Sequence, residues 1–413
     1  MNTKPYNTED EKIFRQFTDE LEEWSRSGEA PSTGNQDIRY YLDLQKGRLR
    51  ERNLKMEYRM KLRGEHLDRI FQKTYKDQIY TNEFVFSSYL QKTAFWRDEK
   101  KVYEKEKPQN FYQTITKMEQ QKIDETYCCP SCGAVSSIKV LLDGCPYCHT
   151  RFLMSDLFPV VTGYFFQYDF SMNQKESKNR IKKWAIGGII LVWLCWTIPA
   201  LIQGKIFSIF LNLLGSIPLG IFLGYLAMCM WMFMSLLGFA AVNIPRLFRT
   251  AGTKLRLNRL MKPYDKSFSY EYFIGRIVSL LKIMIFAEDV KELTVYKGEG
   301  EIPDLSEIVE AAYGGYIGLN KKWIENGYCY LDLDVYMADI YDKGKVYQKT
   351  DIFRMVICRK LEKESDFGFS IRKVQCAGCG GSFDATRERY CPFCGGEYHL
   401  EEDDWAVIKI RKR

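Results

Sequence analysis

The longest apolar runs of the chain lie close together in the middle of the sequence. Trp184 to Ile202 carries no charge, and after the short break 203–205 the stretch Ile206 to Ile244 is uncharged again. A helix that spans a bilayer needs roughly 20 apolar residues, so the first run predicts one transmembrane helix. The second run is long enough for one long helix or two short ones, and Pro218 is compatible with a single kinked helix.

The charges that flank these runs favour one of the two interpretations. Five basic residues between Lys175 and Lys183 precede the first run, with Glu176 as the one acid among them. Basic residues near helix ends stay on the cytoplasmic side, so two basic flanks require an even number of crossings. We therefore expect a two-pass transmembrane helical hairpin over 184–244 in the cell membrane, with both termini and the soluble domains in the cytoplasm. The basic residues after the second run are Arg246, Arg249, Lys254, Arg256, Arg259 and Lys262.

These six residues alternate with leucines and a phenylalanine in the segment 245–263. The pattern predicts either an amphipathic helix on an anionic membrane surface, with membrane lipids as partners, or a stop-transfer flank with a solvated basic face. The apolar runs contain no Asp, Glu, His, Lys or Arg, and their two cysteines are Cys195 and Cys229. A transport pathway normally carries charged side chains inside the membrane, so the predicted role of the hairpin is an anchor.

Eight of the thirteen cysteines form four Cys-x-x-Cys pairs. Two intervening residues let a tight turn direct both sulfurs at one ion, and zinc takes four such ligands in a tetrahedron. Disulfides or a redox dithiol are the alternatives, but residues 1–29 resemble no signal peptide and neither set opens a helix of a βαβ unit. The sequence predicts two structural zinc ions in two zinc ribbons. The predicted ligands are Cys129, Cys132, Cys145 and Cys148 for the first ion, and Cys376, Cys379, Cys391 and Cys394 for the second.

Residues 264–362 show the pattern of an α+β domain. Apolar residues recur at helical spacing between Phe273 and Ile285, and Arg276 and Lys282 interrupt them, which argues against a third membrane helix. A second helix is predicted to begin at Pro303. Apolar and polar residues then alternate from Tyr328 to Met337, followed by a predicted turn at Asp342-Lys343-Gly344 and a return strand over 345–360.

With its helices first and a long hairpin afterwards, this domain resembles the C-terminal domain of the peripheral, matrix-side subunit of the mitochondrial presequence translocase and of its bacterial relatives. The resemblance rests on the helix with Phe273 and Ile277, the Glu288-Asp289 step and the hairpin from Tyr328 to Arg359. It implies the cone-shaped fold of nuclear transport factor two, with a curved antiparallel sheet. It also implies a domain that binds lipid surfaces or protein partners, without a fixed catalytic set.

A conical pocket of this kind is also compatible with enzyme chemistry. Carboxylates beside tyrosines can do acid–base work when they are desolvated, although a solvated strand face with cross-strand pairs is commoner. No histidine lies in this domain, and the sequence contains no phosphate-binding glycine loop or nucleophile elbow, so no enzyme activity is predicted. The candidate pocket residues, on one face of the predicted strand, are Tyr328, Tyr330, Asp332, Asp334 and Tyr336.

The first third of the chain is rich in charged residues, tyrosine and leucine. Residues 36–126 have no proline before Pro108, which predicts long exposed helices, paired as a coiled coil or docked on the membrane. Gly28 to Asn35 predicts a flexible linker that isolates a short acidic helix at the N-terminus.

Together these patterns predict an α+β multidomain membrane protein. Its predicted segments are an acidic helix and linker (1–35), a charged helical region (36–126), a first zinc ribbon (127–152), a connector with a basic flank (153–183), the transmembrane hairpin (184–244), a basic amphipathic segment (245–263), the α+β domain (264–362) and a second zinc ribbon (370–413). The leading functional prediction is a membrane-anchored scaffold or adaptor that presents this domain to lipid or to an unidentified protein partner, in protein translocation or envelope assembly.

Two alternatives remain open from the sequence. One is a membrane-tethered zinc-ribbon protein that binds nucleic acid, and the other is an enzyme that uses the conical pocket. The net charge of +7 is too small to indicate a nucleic-acid partner, and the acidic run from Glu401 to Asp404 beside the second ribbon would repel phosphates.

Overall fold

The computed structural model describes residues 8–63, 73–76, 80–118, 126–129, 132–141, 144–149, 159–168, 174–203, 208–265, 268–361, 373–376, 378–384 and 388–413. The chain forms two compact units. The first unit comprises Met1–Asp169 and Arg249–Arg413, and the second comprises Phe170–Phe248. In sequence, the second unit is therefore an insertion into the first.

In chain order, the helices and strands of both units are α1 (Thr8–Ser27), α2 (Gln36–Glu51), β1 (Lys55–Leu62), β2 (Lys73–Lys76), β3 (Tyr80–Arg97), β4 (Lys100–Met118), β5 (Thr126–Cys128), β6 (Val135–Ser137), α3 (Ile138–Leu141), β7 (Val160–Tyr168), α4 (Gln174–Ile202), α5 (Ser208–Met261), α6 (Tyr270–Phe286), a 3-10 helix (Val290–Glu292), β8 (Ile308–Glu325), β9 (Tyr328–Asp342), β10 (Val346–Lys360), β11 (Lys373–Gln375), β12 (Ser382–Asp384), α7 (Leu400–Asp403) and β13 (Ala406–Lys412).

The first sheet of the first unit is antiparallel, with the strand order β1-β3-β4-β7 and with β2 paired to β3. The prediction of helices over 36–126 is therefore wrong beyond Glu51. On β4, Phe111, Gln113 and Ile115 are 0% exposed and follow the period of two that a strand requires, and Thr114 and Thr116 on the other face are buried as well. Because Gln113 is polar, this period is not visible in the sequence. Its side chain can be buried because the amide donates a hydrogen bond to the Phe14 carbonyl oxygen. The predicted connector also contributes a strand, β7.

The N-terminal helix α1 is part of this unit and is not isolated by a linker. Its Phe14, Phe17 and Trp24 are buried in the same core as the sheet. The turn after the helix is held as well, since Glu20 accepts hydrogen bonds from the backbone and the hydroxyl of Thr33, at 2.9 and 2.6 Å. The acidic helix is predicted correctly, but its amphipathic face packs on protein.

The second sheet is antiparallel, with the order β13-β10-β9-β8. It confirms the predicted hairpin, because β9, the turn and β10 lie where the alternation places them. The helix predicted from Pro303 is wrong, since β8 begins at Ile308. The first four residues of β8 are all buried, so the strand lacks the alternation that would have identified it. β13 completes the sheet, although its sequence lies within the predicted second ribbon segment.

Helix α6 confirms the predicted helix between Phe273 and Ile285 and packs on α2, β7 and β8. Its backbone passes so close to β7 that a Cβ atom on Gly163 would lie 2.7 Å from the Gly275 Cα atom. Arg276, on the same helix, is buried and bonded to Asp37 at 2.7 Å and to Asp404 at 2.7 Å. The predicted α+β domain 264–362 therefore shares one core with the N-terminal region.

In the second unit, α4 and α5 pack as an antiparallel pair through glycines. A Cβ atom on Gly188 would lie 2.1 Å from the Gly220 carbonyl oxygen, and one on Gly224 would lie 2.3 Å from the Trp184 carbonyl oxygen. Gly220 and Gly224 form a Gly-x-x-x-Gly pattern, which lets apolar helices approach closely. Ile181–Ile202 and Leu211–Gly238 are each long and apolar enough to cross a membrane. The second apolar run thus forms one helix.

The close contact at Gly188 predicts a large difference between two neighbouring substitutions. We expect Gly188→Ala to lower the thermal midpoint of the detergent-solubilised protein, because the new methyl group overpacks the helix pair by about 1–3 kcal/mol. Gly187→Ala is the matched control, since a Cβ atom there meets nothing within 4 Å. The two variants would have the same midpoint if α4 and α5 did not pack in this way.

Candidate metal centres

The first group of cysteines is formed by the chain between β5 and the residues that follow α3. Cys129 and Cys145 are buried, and the Sγ–Sγ distances are 3.7 Å for Cys129 and Cys148 and 3.6 Å for Cys132 and Cys145. Each Cys-x-x-Cys pair is a tight turn, in which the backbone N–H four residues on donates to the carbonyl of the first cysteine. These donors are Gly133, at 2.8 Å, and His149, at 2.9 Å.

The second group repeats this construction around β11 and β12. Its Sγ–Sγ distances are 3.4 Å for Cys376 and Cys394 and 3.6 Å for Cys379 and Cys391. Gly380 and Gly395 donate to the first cysteine of each pair, and both have a φ of +73°, a conformation that favours glycine. The turn therefore favours glycine after a cysteine pair, although His149 takes the same position in the first group with a φ of +57°.

The geometry of both groups fits a tetrahedral metal ion. Within each group all four sulfurs lie within 4.8 Å of one another, and the eight cysteines are free thiols. A zinc–sulfur distance near ~2.3 Å in a tetrahedron gives sulfur–sulfur distances of about 3.8 Å, close to those observed and far from the ~2 Å of a disulfide. The structure thus brings together all eight predicted ligands, in the predicted two sets.

The electrostatics of the second group also favour a cation. The backbone amides of Cys379 and Gly378 lower the pKa of Cys376 to about 6. The Gly396 amide lowers the pKa of Cys394, but the neighbouring thiols outweigh this effect and raise that pKa to about 12. Four thiolates so close together repel one another, so a bound cation is what allows all of them to ionise.

The second metal centre is held against the body of the first unit by polar contacts. Arg389, between the two cysteine pairs, donates to the Lys291 carbonyl at 2.7 Å, and Thr294 donates to the Glu388 carbonyl at 3.3 Å. Lys297 forms ion pairs with Glu397 at 3.1 Å and Glu401 at 3.2 Å. The acids next to this centre therefore bind basic residues of the same chain.

Among the six predicted membrane-surface residues, Arg249, Lys254 and Arg256 bind named protein groups in the structure. Arg249 is 2.8 Å from the Asp334 carboxylate, Arg256 donates to the Leu319 carbonyl at 3.1 Å, and Lys254 pairs with Glu271. Of the others, Arg259 and Lys262 are exposed and Arg246 is half-buried. On the opposite flank, the side chains of Lys175, Lys178 and Arg180 lie outside the described residues. The sequence pattern shows the charge of α5 but not the partners of its side chains.

The five candidate pocket residues alternate along β9, as predicted. Their carboxylates are bound by arginines, Asp332 by Arg354 and Asp334 by Arg249. The hydrogen bonds from Arg354 hold the pKa of Asp332 below its ordinary value. A carboxylate with a lowered pKa is a weak base, so this contact favours a structural role for Asp332. Tyr330 is also engaged, since its ring stacks on Trp323 with the centroids 5.1 Å apart.

The sequence does not indicate the buried carboxyl group of Asp339, on the same strand. The residue is 0% exposed, and burial raises its pKa well above the ordinary value, with the neighbouring Asp351 charge adding to the rise. Because the folded state holds this proton more tightly than the unfolded state does, the site stabilises the fold at low pH. That stabilisation is lost as pH rises through the folded-state pKa.

We therefore expect Asp339→Asn to raise the unfolding midpoint at neutral pH, since the amide needs no proton to stay neutral. The gain over the wild type should shrink as the pH is lowered towards 5, measured as the midpoint difference between the two proteins at each pH. A gain that does not change with pH would contradict the assignment of a buried, titrating Asp339.

Comparison of the chain with family models, with curated proteins and with solved structures gives no match. The resemblance to a translocase subunit therefore stays a prediction.

Proposed function

We propose that this protein is a membrane-anchored scaffold or adaptor that carries two structural zinc ions. The observation that carries the proposal is the apolar surface of α4 and α5. Leu191, Phe222 and Phe233 are each at least 60% exposed there, among many other large apolar side chains. An exposed apolar surface of this extent is stable in lipid and not in water.

Chain connectivity supports a hairpin that enters and leaves the membrane on one side. The segments before Phe170 and after Phe248 belong to a single folded unit with one core. A folded unit of this kind lies on one side of a bilayer, so the inserted segment crosses an even number of times. Together with the basic flanks, this favours the cytoplasmic side for the first unit and both metal centres.

The four-cysteine geometry and the closed ligand sets support zinc in a structural role. Zinc is the usual ion of such sites, and four protein sulfurs leave no position for a substrate. A reducing cytoplasm would keep these thiols available for the metal.

The scaffold role rests on what the first unit offers to a partner. Its candidate pocket carboxylates are bound by arginines. Its metal centres and long strands belong to one compact unit, which the chain connects to the proposed anchor. The proposed partners are membrane lipid and a protein of the same membrane, with translocation or envelope assembly as the process that the resemblance implies.

A fractionation experiment tests the anchor, and a crosslinking experiment tests the scaffold. The full chain should remain in the membrane pellet after alkaline carbonate extraction, and extraction into the supernatant would refute the anchor. Crosslinking in native membranes, with a variant lacking 170–248 as control, should yield a defined protein partner for the full chain. Recovery of the full chain without any crosslinked protein would refute the scaffold role.

A further inference from the structure

We propose that a cavity inside the first unit binds a small uncharged aromatic molecule, about the size of one ring. The cavity encloses about 170 Å³ and is lined by residues of both sheets and of helix α6. The lining residues all belong to the first unit, so the proposal does not depend on the membrane anchor.

The size of the cavity suits a single ring. Protein interiors rarely contain voids larger than a water molecule, because the atoms around an unfilled void lose packing contacts. An apolar cavity of about 150 Å³ excludes water and binds benzene. The cavity of the first unit therefore has the volume that a ring-sized ligand needs.

The lining favours an aromatic ligand. Ile274 and Val278 contribute aliphatic surface, and five other lining side chains are aromatic. The Phe165 ring centroid lies 5.1 Å from that of Tyr313, at an interplanar angle of 78°, and 6.0 Å from that of Phe84, at 29°. Rings in these orientations offer both faces and edges, which are the contacts that another aromatic ring prefers. The five aromatic residues are Phe84, Tyr164, Phe165, Tyr270 and Tyr313.

The charges beside the cavity favour an uncharged ligand. Glu271 contributes a carboxylate to the lining, and its side chain is 9% exposed. The Lys254 ammonium pairs with this carboxylate and lies 5.3 Å from the centroid of the Tyr270 ring. Because this ion pair already neutralises the carboxylate, a charged ligand would lose its water with little compensation.

Irregular strand pairing in both sheets borders the cavity. The pairing of β7 with β4 shifts between Gly163 and Val161, and the pairing of β8 with β9 shifts between Tyr313 and Ile317. Gly163, Tyr313 and Gly315 line the cavity, and Gly315 has a φ of +79°, a conformation that favours glycine. Such β-bulges are common next to active sites, where they redirect side chains. Their presence in both sheets indicates that the fold maintains this space.

The lining extends from the surface of the first unit into its core. Phe84, Phe165 and Gly315 are half-buried, whereas Tyr164 and Tyr313 are buried. A small molecule can therefore enter the cavity from the half-buried side without unfolding the unit.

Titration of the full chain with phenol tests the proposal, with NMR of the isoleucine methyl groups in the detergent-solubilised protein as the measurement. Phenol is a single ring whose hydroxyl stays protonated at neutral pH. The methyl signal of Ile274, assigned by its loss in Ile274→Val, should shift until the site is saturated. Ile410 is the control, because it is 1% exposed on β13 and lies outside the cavity, so its signal should not move.

Two variants and a second compound sharpen this experiment. Val278→Phe should weaken phenol binding by about tenfold or more, because the larger side chain occupies part of the cavity. Val356→Phe, at a half-buried position of β10 outside the cavity, should leave the affinity unchanged. Cyclohexanol has a similar size but no aromatic ring, and it should bind several-fold more weakly than phenol.

The possible outcomes separate the parts of the proposal. Absence of a saturable shift at Ile274, or equal phenol affinity in the wild type and Val278→Phe, would overturn it. If Val278→Phe does not fold, the contrast between Ile274 and Ile410 in the wild type decides. Equal affinities for phenol and cyclohexanol would overturn the aromatic class of the ligand. A saturable shift with tetramethylammonium but not with phenol would show a site for organic cations instead.

Discussion

Replacing one buried ligand of the second metal centre, as in Cys391→Ser, is expected to lower the metal content from two ions per chain to one. Four thiolates hold a structural zinc ion with an apparent binding free energy of about 10–16 kcal/mol, and the loss of one thiolate weakens that binding. Metal analysis of the purified protein by mass spectrometry measures the ion count. The cysteine turns of that centre should then become accessible to protease, because the ion is what closes them.

Cys229→Ser is the matched control for this experiment. Cys229 lies on α5 outside both metal centres, so its loss should leave the ion count unchanged. Cys145→Ser should remove the ion of the first centre and leave the second occupied. An ion count that is unaffected by Cys391→Ser, or that is near zero in the wild type, would contradict the assignment of two metal centres.

Removing the buried guanidinium of α6, as in Arg276→Met, is expected to destabilise the first unit by about 3–5 kcal/mol. The variant removes the guanidinium that pairs with Asp37 and Asp404, and Asp37 is 2% exposed. An uncompensated buried carboxylate is costly, and that cost exceeds any gain from the apolar side chain. The shift of the thermal unfolding midpoint of the detergent-solubilised protein measures the effect.

Arg15→Met provides the comparison on the surface. Arg15 pairs with Glu11 one turn away on α1, at 2.8 Å, and about half of its side chain is exposed. Exposed pairs of this kind contribute only about 0.3–0.5 kcal/mol, so the midpoint should barely move. Equal shifts for the two variants would show that Arg276 is not held in a buried ion pair.

Features that depend on short stretches of sequence are predicted correctly. The cysteine spacing predicts both metal centres, and the charge-free runs predict the two apolar helices. The alternation from Tyr328 predicts β9 and its hairpin. In each case the signal lies within a short stretch of the chain and needs no information from distant residues.

The errors concern contacts between distant parts of the chain. The sequence predicts helices at β3 and β4 because their buried positions include polar residues such as Gln113, whose partner lies on α1. It predicts a helix at β8 because both faces of that strand are covered at Ile308 and Val309. Arg276 and Lys282 correctly exclude a membrane helix, yet nothing local indicates that Asp37 and Asp404 are the partners of Arg276.

The insertion of the α4–α5 pair into the first unit has a consequence for synthesis of the protein. Residues up to 169 leave the ribosome first, but their core also requires α6 and the second sheet, which follow the apolar pair. α1, α2 and the first sheet must therefore persist with exposed apolar faces until the residues after 248 have been made. If α4 and α5 form the proposed anchor, their delivery to the membrane precedes completion of the first unit, and a failure of insertion would leave its incomplete core exposed to chaperones and proteases.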